Sequence, residues 1–259
     1  MAAAACAVAM SACHVSGTPN CSLSASDDRC VRVLFIGNSY TSINDLSAVF
    51  TAVAAKHGHA VYAEMVAPGG ARLADHAASA DVLEKIRAGH WSYVVLQEQS
   101  QIPSVEAARA GQMYPAARAL TDAIRHAGAR PVFFATWGRQ TGWPENGLAN
   151  YATMQAQITL GYRTIAAELH AVLAPVGDAW AEVAAQHADI PLWQADGSHP
   201  TVQGTFLAAN VLLATMFHET PRGLGSRGAV PESQVFRLQQ AAAHAALGAV
   251  PRDSAQPPT

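Results

Sequence analysis

Apolar residues in this chain come in two rhythms. Short unbroken runs, led by Val33-Leu34-Phe35-Ile36, recur at residues 60–67, 91–96, 131–137 and 172–176. Such runs suit strands buried on both faces. Between them apolar residues return every three or four positions, as Leu46, Val49, Phe50 and Val53 do before Gly58, a suitable helix C-cap. The same spacing predicts helices over 81–88, 105–127, 150–171 and 178–187, one from about Pro200 carrying Phe206, Leu207, Leu212, Leu213 and Phe217, and one over Glu232–Leu247. Strand and helix alternate about five times, which predicts one parallel sheet with helices on both faces. Right-handed crossovers then bring the strand-end turns to one edge, where open α/β sheets hold their ligands.

The residues at that edge are not ordinary loop residues. The first run breaks at Gly37-Asn38-Ser39, placing a hydroxyl at a strand end, although Ser39 or Thr41 would also serve as a helix cap. The second ends in Pro68-Gly69-Gly70 and the third runs directly into Gln97-Glu98-Gln99-Ser100. An amide side chain at a buried strand end is a donor for developing negative charge, or a partner for loop backbone. Glu98 is an expected buried or half-buried acid. The fourth run is followed by a Gly, Trp, Pro and Asn-rich loop from Gly138 to Gly147. Trp137 and Trp143 beside it, and Trp193 later, are candidates to meet substrate, with packing the alternative. Asp196-Gly197-Ser198-His199 precedes the Pro200 helix and reads alone as a capped turn. His57 and His59 flank Gly58 with no nearby carboxylate, which suits turn histidines better than metal ligands; Asp75 and His76 read as structural.

Composition narrows the choices. The chain has 259 residues, half of them hydrophobic and 14% charged, so it is globular. A net charge of -3 without a basic block argues against nucleic acid as a partner. No run beyond the N-terminus has the length of a spanning helix. Residues 1–20 carry no charge, and the alanine-rich stretch is similar to the apolar core of an export signal. Met10-Ser11-Ala12-Cys13 is similar to a lipobox, making Cys13 a candidate lipid anchor. Export to the periplasm, cell surface or medium is therefore expected, and a cytoplasmic location if this segment is no signal. All four cysteines, Cys6, Cys13, Cys21 and Cys30, precede the first strand, and no CxxC is present, so a thiolate zinc site is not expected. Cys21 and Cys30 would close a small disulfide loop in an oxidising compartment. The chain divides into an N-terminal segment, residues 1–30, a domain over 31–250, and a disordered tail, 251–259.

Together the four blocks resemble the SGNH hydrolase superfamily, the GDSL-like esterases. There the nucleophile sits in a Gly-Asp-Ser or Gly-Asn-Ser turn, a glycine and an asparagine follow the next two strands, and Asp-x-x-His comes near the C-terminus. The order and spacing match from residue 31 to about 218. The resemblance implies a three-layer α/β/α, flavodoxin-like fold with a five-stranded parallel sheet. It implies Ser39 as nucleophile, His199 as base and Asp196 as its orienting carboxylate. It places the backbone N–H of Ser39, that of Gly70 and an amide in an oxyanion hole. The third block departs from the family's Gly-x-Asn-Asp: counting from the strand end gives Gln99 the asparagine position, with Gln97 as fallback or as a substrate contact. Branches with Gln-Glu blocks include enzymes of acetylated sugars. The expected activity is hydrolysis of acyl esters, O-acetyl and carbohydrate esters first, without metal or cofactor. Alternatives are a lipase or thioesterase of longer acyl chains and a non-catalytic carbohydrate-binding protein.

Overall fold

The computed structural model describes Cys21, residues 30–221 and residues 230–248. The expectations for the export segment, the Cys13 anchor and the C-terminal tail lie outside these residues. Strand β1 (Cys30–Ile36) leads to a helical turn, α1 (Ser39–Ser42), then α2 (Leu46–Lys56) and β2 (Ala60–Val66). After β2 come α3 (Leu73–Ala77), α4 (Ala80–Ala88) and β3 (Tyr93–Leu96). Next are α5 (Glu106–Ala108), a π-helical stretch Arg109–Met113, α6 (Tyr114–His126) and β4 (Arg130–Phe134). The chain finishes with α7 (Tyr151–Glu168), β5 (Val172–Ala174), α8 (Val176–Gln186), α9 (Val202–Phe217) and α10 (Glu232–Leu247).

The sheet has five parallel strands in the order β2-β1-β3-β4-β5. Side chains alternate across it because the strand period is two. Val33, Phe35, Val95, Val132 and Phe134 enter one core with α2, α8, α9 and α10. Leu34, Ile36, Val94, Leu96 and Phe133 enter the other with α4, α6 and α7. Thus each strand reads as a continuous apolar run. The order reverses direction between β1 and β3, the switch point where such sheets open a crevice at the strands' carboxyl ends. Helix α9 is buried along nearly all its length, which explains its apolar residues on every side. Cys21 and Cys30 are joined by a disulfide, with Cα atoms 5.3 Å apart, at the start of β1. Among the described residues no helix is long and apolar enough to cross a membrane.

The helix expected over 105–127 is interrupted. Pro115 in the first turn of α6 lacks the N–H that would continue an α-helical ladder, and the chain passes through the π-helical stretch instead. The helix carrying Leu46, Val49, Phe50 and Val53 does not run on from the first turn. Asn44 and Asp45 adopt left-handed backbone, φ 60° and 51°, between α1 and α2. Asp45 then caps α2 through its side chain, accepting from Ala48 N at 3.1 Å.

Candidate active site

Asn38 sets the turn after β1. Its backbone is extended, its Oδ1 accepts from Tyr40 N at 3.1 Å, and its Nδ2 donates to the Ala71 carbonyl at 2.9 Å. It is buried, so it ties the β1 turn to the Gly70 loop. Ser39 becomes the first residue of α1, and its N–H therefore has no intrahelical acceptor. Its Oγ lies 3.0 Å from His199 Nε2. His199 Nδ1 is hydrogen-bonded to Asp196 Oδ2. Asp196 Oδ1 accepts from the backbone N–H groups of Ser198, at 2.9 Å, and His199, at 3.0 Å. The hydrogen bond from His199 holds the Asp196 carboxyl down at about 2, so it is ionised at any neutral pH. The structure thus brings together three residues separated by up to 160 positions in sequence.

A cavity of about 260 Å³ opens over Ser39. Gly70, Gln99 and Ser100 line one side; Tyr40, Arg139, Ser198 and His199 line the other. Gly70 and Gln99 also line a neighbouring groove with Gln101, Gln112, Trp143 and Asn146. Gln99 is pinned by its carbonyl end, with Oε1 accepting from Gln101 N at 2.8 Å. Its Nε2 reaches Gln101 Oε1 at 3.3 Å, a long contact that uses one of two N–H donors.

Gln97 has a different place from the one expected of a substrate contact. It has no exposed surface, and its Oε1 accepts from Asn38 N and Thr41 Oγ1, both at 2.9 Å. Gln97 therefore holds the Ser39 turn from beneath, and Gln99, two residues on and past the end of the ladder, lines the cavity. Trp137 is likewise no substrate platform. It has no exposed surface and is sandwiched between Tyr40, at 4.6 Å between ring centroids, and Trp180, at 3.9 Å. Trp193 is half-buried, packs edge-on against Tyr151 and Trp180, and donates to the Gly138 carbonyl at 3.0 Å. It is not among the cavity-lining residues; Trp143 is the tryptophan in the adjoining groove.

Several further residues support the site. Tyr40 lies edge-on to the His199 ring at 5.7 Å, and its hydroxyl is 2.7 Å from Ser198 Oγ. His76 is buried with Nε2 2.8 Å from the Gly37 carbonyl, and burial lowers its pKa. Glu98 is fully buried. Its Oε1 accepts from Leu73 N at 3.1 Å and Gln99 N at 2.6 Å, linking the loops that carry Gly70 and Gln99. Burial pushes its carboxyl up to about 7, and its Oε2 has no partner.

Comparison with known proteins gives the geometry a family. The chain shares 30% identity and a TM-score of 0.62 with a Slackia heliotrinireducens protein described as an SGNH hydrolase, covering 72% of this chain and 99% of that one. The chain belongs to the SGNH hydrolase superfamily. It is an SGNH-type hydrolase, with the flavodoxin-like strand order the family resemblance implied. A DUF4886 family protein from Bacteroides uniformis shares the fold at 18% identity and TM-score 0.67, over 83% of this chain and 94% of that one. So does an acetyl-xylooligosaccharide esterase from Geobacillus Stearmophilus, at 13% identity and TM-score 0.52, over 75% and 97%. No family model matches the chain. No curated protein matches it either.

Proposed function

We propose that this SGNH hydrolase cleaves short-chain acyl esters, O-acetyl esters of carbohydrates foremost, through an acyl-enzyme on Ser39. The observation that carries the reading is the Ser39–His199–Asp196 chain of hydrogen bonds opening into a small cavity. Ser39 Oγ attacks the ester carbonyl carbon while its proton passes to His199 Nε2. Asp196 fixes the imidazole tautomer and stabilises the imidazolium. The carbonyl oxygen takes up negative charge among the N–H groups of Ser39 and Gly70 and the Gln99 amide. Collapse breaks the bond to the alcohol oxygen, which takes the proton from His199. Water, deprotonated by the same histidine, then attacks the acyl-serine and releases the acid.

The cavity is lined by hydroxyls, amides, an imidazole and a guanidinium and by no aliphatic side chain, which suits an acetyl group better than a long acyl chain. The adjoining groove offers Trp143 with the amides of Gln101, Gln112 and Asn146, an apolar face beside hydrogen-bonding groups that suits a sugar alcohol. The Cys21–Cys30 disulfide supports the further proposal that the protein works in an oxidising, exported location.

The experiment is fluorophosphonate labelling together with a nitrophenyl ester series from acetate to octanoate. Wild type is expected to label, Ser39→Ala is expected not to label, and rates should fall as the acyl chain lengthens. An unlabelled wild type removes the esterase reading. Octanoate turning over faster than acetate would remove the short-chain part.

A further inference from the structure

Arg139 is the cavity feature that the chemistry above leaves unused. Five other arginines, at 72, 87, 118, 163 and 237, are each paired with a carboxylate. The Arg139 guanidinium has neither an ion pair nor a hydrogen bond among the described residues, and its Nε is buried without a partner. An arginine loose in solvent would be unremarkable, but this one is held in place through its backbone. Gly138 N donates to Gln155 Oε1 at 2.8 Å, and the Gly138 carbonyl accepts from Trp193 Nε1 at 3.0 Å. Arg139 N contacts Met154 Sδ at 3.3 Å, and Gln140 N donates to the Gly197 carbonyl at 2.8 Å. Three consecutive residues are thus anchored to α7 and to the loop that carries His199. The half-buried side chain lines the same cavity as Ser39.

The cavity offers this cation no counter-charge. Its other lining groups are hydroxyls, amides, the His199 imidazole and a glycine. Asp196 faces His199 and the Ser198 and His199 N–H groups, and the Glu98 carboxyl is turned to the backbone of Leu73 and Gln99. A partly desolvated guanidinium without an acceptor is costly unless a ligand supplies one. One planar fork matches one carboxylate, with two parallel N–H to oxygen bonds. A phosphate monoester, with nearly two charges and three free oxygens, is usually met by several donors and cations.

We propose that Arg139 is a carboxylate-recognising residue of the active-site cavity, so that the preferred ester carries a free carboxylate close to the scissile bond. This rests on the esterase reading above and narrows its substrate class. Two sources supply the same chemistry: a sugar acid esterified with acetate, where the carboxylate is on the alcohol, and a dicarboxylic half-ester, where it is on the acyl group.

The test compares acidic and uncharged partners in pairs. O-acetylated oligogalacturonate is set against acetylated xylo-oligosaccharide, and nitrophenyl hemisuccinate against nitrophenyl butyrate. In wild type one acidic ester is expected to exceed its uncharged partner in kcat/KM by about 30-fold, the size of one charge-assisted hydrogen-bonded contact. The pair that shows the preference identifies which side of the ester bears the carboxylate. Arg139→Gln is expected to collapse that ratio towards one, and Arg139→Lys to retain part of it. An acidic-to-neutral ratio near one in wild type for both pairs overturns the proposal. So does an Arg139→Gln variant that lowers both members of a pair equally, since that is how a merely structural arginine behaves. Labelling of Ser39 by fluorophosphonate keeps the two readings apart: without labelling the esterase reading itself falls, whereas labelling without an acidic preference removes only the role of Arg139.

Discussion

Two glycine turns meet at the active site, and they are built in opposite ways. The turn after β1 is packed solid. A Cβ added at Gly37 would lie 2.5 Å from both Gln97 Oε1 and Thr41 Oγ1. The turn after β2 is open. Gly70 has φ +74°, yet a Cβ there would meet nothing within 4 Å. The first glycine is needed for space and the second for backbone conformation. The contrast separates two requirements of the proposed chemistry. The Ser39 turn is fixed by direct packing, whereas the Gly70 loop is held by tethers: Asn38 to the Ala71 carbonyl and Glu98 to Leu73 N.

The strongest way to break this contrast is Gly37→Ala. The new methyl must displace Gln97 or Thr41 and with them the hydrogen bonds under Asn38 and α1. Overpacking plus displaced buried polar groups should cost about 3 kcal/mol or more, with activity falling about 100-fold as Ser39 shifts. Thermal unfolding and kcat/KM read the two effects; a variant with wild-type values would show that the turn is looser than its packing implies.

Cutting a tether comes next. Glu98→Ala leaves the N–H groups of Leu73 and Gln99 without their acceptor, for an expected loss of about 2–3 kcal/mol. Glu98→Gln keeps an acceptor oxygen and should be milder, and it also exposes the pH linkage. The native carboxyl titrates at about 7, against an ordinary 4.5, because burial disfavours its charge. A raised carboxyl stabilises the fold fully below about pH 4.5 and loses that contribution as pH rises through 7. Stability of wild type relative to Glu98→Gln should therefore decline over that window, by a few kcal/mol at most. Urea melts from pH 4 to 8 check this, and a constant difference would show that Glu98 is not the titrating group.

The smallest effect is expected at Gly70. Gly70→Ala has room for its methyl, so only left-handed strain opposes it, about 1–2 kcal/mol. If its melting point falls as far as that of Gly37→Ala, the open turn is carrying packing that the geometry does not reveal.

What was legible in the sequence follows the same division. Val33–Ile36 announced a buried strand because both sheet faces are covered, and a helix-free apolar run has few other fates. Ser39, Asp196 and His199 could be singled out because their types and order are specific together. The assignment of the glutamines needed one further fact, the position of the strand end. Gln97 N still bonds to the Ile36 carbonyl, so the ladder extends one residue past Leu96 and turns the Gln97 side chain inward. Trp137 and Trp193 stay open in the sequence because an indole packs in a core as readily as it meets a ligand, and neighbours distant in sequence decide which. Arg139 gave no signal at all. A loop arginine acquires meaning only when its backbone is pinned and carboxylates are found to be elsewhere, and both depend on contacts with residues 154, 193 and 197.

The left-handed break before α2 has a mechanical consequence. Asn44 directs its Nδ2 to the Pro200 carbonyl and to Thr205 Oγ1, each at 3.0 Å. The segment that carries Ser39 is thereby stapled to the start of the helix that follows His199. Ser39 and His199 are tied by a link that does not pass through their own hydrogen bond. The opposite bank, with Gln101, Gln112 and Asn146, lies on segments without that staple, so a bulkier alcohol under the proposed chemistry would be met there.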